Sequence, residues 1–237
     1  MTLTAHQDPK PHPKPDGKGQ QVMINHPHPP GAEAQWFQAS AIATFLPAGP
    51  VPDQLNGIPL APWQDAPRTL KDWAWVPGQH PELREPPLDP QGKEPAAGVI
   101  VVEPDGRIWI VCPTNRFANC EASFPKGRAD EGLSLQATAI KETFEESGLR
   151  IAITGLMGDF PGLITMSRFY WARRVGGSPA DMGWESQAVL LVPPGQLEAV
   201  VNLPRDKEIA RLIAARSSLP GPPKDRDLGG RIHIDGE

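Results

Sequence analysis

The sequence predicts an α+β protein: an α/β/α sandwich around a mixed β-sheet, preceded by a Pro-rich, irregular N-terminal arm. Three observations carry that expectation. Nineteen of the 30 prolines fall before residue 96, and proline, which lacks the N–H and fixes φ, keeps long helices and central strands out of that part of the chain. After residue 96, short β-branched runs bounded by turn residues flank one well-delimited helix. A second helix closes the series, and strands on both sides of a central helix are best buried as helices packed on a sheet.

Taken in order, residues 1–34 alternate Pro9, Pro11, Pro13 and Pro15 with Lys10, His12 and Lys14, and later run through His26 and His28. So little apolar surface cannot offset the entropy of ordering, which predicts a disordered, solvated tail. Its four histidines, counting His6, are the alternative: a transition-metal site. Residues 35–95 hold Trp36, Trp63, Trp73 and Trp75 among frequent Pro and Gly. Exposed Trp forfeits a large hydrophobic contribution, so this stretch is expected to be an arm with one or two short strands packed on the following domain. A protein or ligand contact surface is the other reading.

The domain itself is expected at 96–216. Residues 97–102 and 107–111 flank Glu103-Pro104-Asp105-Gly106, a hairpin pattern. Ser134 caps a helix that runs to Ser147 and stops at Gly148. Strands follow near 150–156, 164–173 and 187–192, then a helix from Pro204 or Arg205 to about Arg216. Residues 217–237 read as a flexible tail.

The net charge of −5 over 237 residues argues against a binder of nucleic-acid polymers that relies on a basic surface. No apolar run reaches the roughly 18 residues of a membrane helix. Residues 1–21 carry no apolar signal core, so a cytoplasmic location is expected. Cys112 and Cys120 are too few for a disulfide framework.

The chemistry gathers between Phe124 and Leu149. Glu142, Glu145 and Glu146 are spaced i, i+3, i+4 and share one helical arc, with Ala137, Ala139, Ile140, Thr143 and Phe144 on the other. Three carboxylates within a turn repel unless a cation offsets them. Hard oxygens in this arrangement suit Mg²⁺, with Mn²⁺ as an alternative. The Pro125-Lys126-Gly127 loop offers main-chain groups and an ammonium to a phosphate.

The register of Gly127, Glu142, Glu145, Glu146, Gly148 and Leu149 resembles the Nudix box, Gly-x5-Glu-x7-Arg-Glu-U-x-Glu-Glu-x-Gly-U with U a bulky aliphatic residue. Six of its nine specified positions match. Leu133 stands in place of the first Glu, Lys141 in place of Arg and Thr143 in place of the aliphatic residue. Lys141 paired with Glu145 would be a looser brace than arginine, and Asp130 or Glu131 is a candidate for the missing carboxylate. The resemblance implies a Nudix-like fold and a Mg²⁺-dependent hydrolase. Its substrate would carry a pyrophosphate linkage in a nucleoside diphosphate derivative or related compound: a dinucleoside polyphosphate, ADP-ribose or a diphosphoinositol-like molecule. It further implies that Glu142, Glu146 and the carbonyl of Lys126 hold metal, and that Glu145 is metal ligand or general base. Glu185, just ahead of a late strand, is the candidate for a further carboxylate at the substrate site, with a loop acid that has no task as the other reading. Arg168 is either a phosphate ligand or a strand-edge surface arginine, and the side chain of Lys126 is a substrate contact. The alternative function is a catalytically weak nucleotide-binding or regulatory module. Small-molecule phosphoanhydrides are the expected partners, and analogy with relatives that pair through N-terminal segments suggests a homodimer.

Overall fold

Proline spacing confines the first third of the chain to fragments. In the computed structural model, which describes residues 8–217, these are β1 (Lys10–Pro11), β2 (Met23–Ile24), β3 (Ala43–Phe45), β4 (Gln54–Leu55), β5 (Ile58–Pro59) and one helical turn, α1 (Leu70–Trp73). The elements that follow are mostly longer: β6 (Glu94–Val102), β7 (Ile108–Pro113), β8 (Lys126–Arg128), α2 (Leu135–Ser147), β9 (Leu149–Pro161), β10 (Thr165–Gly177), β11 (Ser186–Val192), α3 (Leu197–Val200) and α4 (Pro204–Ser217).

The main sheet has the order β3-β11-β7-β6-β10-β9, with β8 added on β6. β6 and β10 run parallel while their other neighbours are antiparallel, so the sheet is mixed. Strand alternation sorts side chains onto two faces. On one, Val99, Val101, Trp109 and Leu191 meet Ala137 and Ile140 of α2. On the other, Ile100, Ile110 and Leu190 meet Ile209 and Ile213 of α4. Both faces are covered by a helix, which makes the expected α/β/α sandwich.

One irregularity prepares the site. β6 and β7 pair only at Val102 and Ile108 and then diverge. The gap is taken by the segment leading to β8, which pairs with residues 96–98 of β6, and by a bridge between Val111 and Ser123. The main chain of Lys126 and Gly127 thereby lies beneath α2. That helix starts at Ser134, whose Oγ accepts the Ala137 N–H at 3.0 Å. It ends at Gly148, whose φ of 70° suits glycine and disfavours a side chain.

The arm is built into the core. β3 is an edge strand on β11, Phe45 opposite Val189. Trp36, Trp63 and Trp73 are buried on the α2 side of the sheet, whereas Trp75 is 84% exposed, against expectation. Two buried arginines capture arm main chain. Arg107 donates to the carbonyls of Gln35 (2.9 Å) and Trp36 (2.5 Å). Arg174 donates to those of Leu55 (2.9 Å) and Pro59 (3.0 Å) while paired with buried Glu103.

Residues 8–34 depart from the expected tail. β1 and β2 pair antiparallel, His12 is buried, and Lys14 Nζ lies 2.7 Å from Asp181 Oδ1. His28 is half-buried, and burial, then nearby Arg116, lowers its pKa. Local composition missed the Lys14 and His28 contacts because Asp181 and Arg116 lie far along the chain. Of the tail expected at 217–237, Ser217 ends α4, and His6 and residues 218–237 fall outside the described residues. Among the described residues, no helix is long and apolar enough to cross a membrane.

Candidate active site

Glu142, Glu145 and Glu146 project from one arc of α2, because the other arc is committed to the core. Thr143, at a position where the box has an aliphatic residue, is buried there with its Oγ1 donating to the Ala139 carbonyl at 2.6 Å. The hydroxyl is satisfied, so burial carries no unpaired-donor penalty. Phe144 packs edge-on against Trp63 at 5.2 Å, linking the helix to the arm.

Two of the three glutamates face a cleft of about 880 Å³, which they share with Lys126, Gly127, Asp130 and Glu185. Glu146 Oε2 accepts the Lys126 N–H at 2.8 Å. Glu142 lies against Gly127 so closely that a Cβ there would sit 1.9 Å from its Oε2. The glycine of the box is therefore a space requirement: it makes room for a carboxylate. Burial, ahead of the opposing pull of Lys141, pushes the Glu142 pKa up to about 7. Burial and the neighbouring Glu142 charge also raise that of Glu146, against the pull of Lys126.

Glu145 is placed differently. Its side chain is 44% exposed and its carboxylate lies 2.8 Å from Lys141 Nζ. The same ammonium stands 3.1 Å from Asp130 Oδ2 and 3.4 Å from Glu142 Oε1, and these partners raise its pKa against the effect of burial. The brace anticipated between Lys141 and Glu145 is present in the geometry, with Asp130 as its third member. Leu133, where the box has its first Glu, packs on the α2-side core instead.

The remaining candidates divide. Glu185 stands at the cleft rim, its pKa raised by partial desolvation and then by the charge of Glu145. Arg168 is away from the cleft. It is buried and held by both oxygens of Asp159 at 2.7 Å and by Glu85 at 3.1 Å. Glu85 also accepts from Tyr170 Oη (2.6 Å) and Gln136 Nε2 (2.5 Å). Neither the phosphate role nor the surface role expected of Arg168 fits: it lies on the same strand face as Tyr170, under the arm. Sequence reasoning did not single out Phe117, Leu163 and Arg205, which also line the cleft. They lie far apart in the chain and match no motif.

Among the described residues, no three acidic, histidine or cysteine side chains converge closely enough to hold a cation as placed. The donor chemistry nevertheless fits a hard divalent ion. Magnesium takes one or two carboxylates and completes its shell with water and phosphate oxygens, and Glu142 and Glu146 are two carboxyl groups lining one cleft, with burial holding their pKa values up, that a cation would favour in the charged form.

A family model described as NUDIX domain matches residues 92–215. Over 101 residues the chain is 35% identical to the RNA pyrophosphohydrolase of Caulobacter vibrioides, a match covering 42% of this chain and 56% of that protein. Over 79 residues it is 30% identical to the nucleoside diphosphate-linked moiety X motif 6 protein of Xenopus laevis, covering 31% of this chain and 36% of that one. The chain therefore spans about half, or less, of the length of these curated relatives. The crystal structure of a NUDIX hydrolase from Nitrosomonas europaea aligns with a TM-score of 0.46 at 19% identity, over 54% of this chain and 73% of that chain.

Proposed function

The chain belongs to the Nudix family, and on that premise we propose that it is a Mg²⁺-dependent hydrolase that cleaves a pyrophosphate linkage in a nucleoside diphosphate derivative or related compound. The observation that carries this reading is the pair Glu142 and Glu146, side by side in one cleft over the main chain of Lys126 and Gly127. These two carboxylates, with the Lys126 carbonyl, would hold the divalent ion. When bound, it neutralises charge that grows on the leaving phosphate and lowers the pKa of water.

The chain's own residues do the rest. The Lys126 N–H fixes the Glu146 carboxylate, and Gly127 admits Glu142. Lys141, itself paired with Asp130, holds Glu145, and Glu145 or Glu185 serves as general base for the attacking water. The ammonium of Lys126 meets a substrate phosphate. Small phosphoanhydrides in the cytoplasm are the substrates on this reading, and a homodimer is the proposed assembly.

The test is a turnover panel with Mg²⁺ and with Mn²⁺: ADP-ribose, diadenosine tetraphosphate, nucleoside triphosphates and an inositol pyrophosphate. The name of the Caulobacter relative adds a 5′-triphosphorylated RNA oligonucleotide. At least one substrate should be hydrolysed, and Glu146→Gln should lower kcat by about 100-fold or more, on the order of 3 kcal/mol. Tight binding without turnover of any compound would assign the chain to a regulatory module instead.

A further inference from the structure

Three of the large apolar side chains that stand exposed gather at one place. Phe117 (59% exposed), Leu163 (74%) and Ile164 (42%) all line the cleft that holds Glu142 and Glu146. Phe117 belongs to the loop between β7 and β8; Leu163 and Ile164 belong to the turn between β9 and β10. Separate segments thus bring apolar surface to one cavity, a grouping that marks ligand grooves more than ordinary scattered exposure.

The backbone around Phe117 is strained to present it. Arg116 (φ 46°), Ala118 (φ 54°) and Asn119 (φ 59°) all adopt the left-handed region that residues other than glycine seldom occupy. The loop is locked from both ends. Asn202 Nδ2 donates to the Asn119 carbonyl at 2.6 Å and its Oδ1 accepts the Glu121 N–H at 2.9 Å, while Asn115 Oδ1 accepts the Phe117 N–H at 2.9 Å. Strain persists only where surrounding contacts over-determine it, and it clusters at ligand clamps.

Charge narrows the ligand. The cations lining the cleft are Lys126, Arg128 and Arg205. Arg128 Nε lies 2.6 Å from Glu94, and Arg205 lies 2.6 Å from buried Asp206 and over the Phe169 ring. Among the described residues, Lys126 is then the cleft cation outside an ion pair. A diphosphoinositol polyphosphate, charged on every side, needs a ring of cations. A nucleotide offers one short anionic segment and a flat base whose faces suit apolar and aromatic contacts.

Building on the hydrolase reading, we propose that Phe117, with Leu163 and Ile164, forms a clamp for the base of a nucleotide substrate and excludes inositol pyrophosphates. The clamp recognises the base by its faces, and the carboxylate end of the cleft takes the phosphates.

The experiment measures binding by calorimetry on the full chain with Mg²⁺ present, comparing AMP, GMP, CMP and UMP with ribose 5-phosphate, which shares their sugar and phosphate but has no base. At least one nucleotide should bind about tenfold tighter than ribose 5-phosphate, in line with base stacking. The contrast should collapse in both Phe117→Ala and Leu163→Ser, with ribose 5-phosphate affinity and thermal unfolding as in the parent. No nucleotide binding tighter than ribose 5-phosphate, or a contrast kept in both variants, overturns the clamp. Because no turnover is read, a clamp without hydrolysis would defeat only the hydrolase reading, and hydrolysis without the contrast would defeat only the clamp.

Discussion

A Cβ at Gly127 would occupy the space of the Glu142 carboxylate, so Gly127→Ala should drive that side chain out of the cleft while leaving the β6–β8 pairing in place. Activity should fall at least tenfold with a small change in Tm; parent-like turnover would show that Glu142 is not needed where it sits. The glycine was legible as part of a motif, but its physical reason appears only once α2 and β8 are set against each other. Lys141 was legible as a partner of Glu145 from their four-residue spacing, which places them on adjacent helical turns. Arg168 was not readable in the same way. Its partners Asp159 and Glu85 come from a neighbouring strand and from the arm, and nothing in the local sequence distinguishes such an arginine from a free one.

Helix α2 concentrates the acidic groups, and its behaviour with pH follows. The Glu142 pKa rises from an ordinary 4.5 to about 7, and Glu146 moves in the same direction. Below about pH 4.5 both folded and unfolded chains hold these protons, so the groups do not affect stability. As the pH rises from there to about 7, the unfolded chain releases protons that the folded chain keeps, and the folded state loses stability. A divalent ion competes with those protons, so added Mg²⁺ should raise Tm more at pH 8 than at pH 5.5. Differential scanning fluorimetry would read this, and equal shifts at both pH values would place the ion elsewhere. The limits of the helix were plain beforehand, because Ser134 and Gly148 act within one turn of their own positions. The splay of β6 from β7, which carries Lys126 under the helix, left no such local mark.

On the scale of the whole molecule, the arm and the α2 layer are one structure. Trp36, Trp63 and Trp73 are buried in the same core as α2, and removing a buried Trp side chain costs about 3–5 kcal/mol. Three such losses rival the roughly 5–15 kcal/mol that a domain has in all. A chain shortened to begin near Lys93 should therefore fail to unfold cooperatively, by circular dichroism, while the full chain does so in one transition. A cooperative, active short form would show the arm to be an accessory. Sequence pointed to packing through the tryptophans alone. It gave no sign of Arg107 and Arg174, whose main-chain partners lie far away in sequence and follow no period. Strand β3 adds one more liability for the short form. In the full chain it occupies the outer hydrogen-bonding side of β11, a strand whose seven residues are all buried. Stripped of that cover, β11 becomes a sticky template on which a second molecule can add its own strand, so the shortened chain should collect as aggregates and not as soluble monomers.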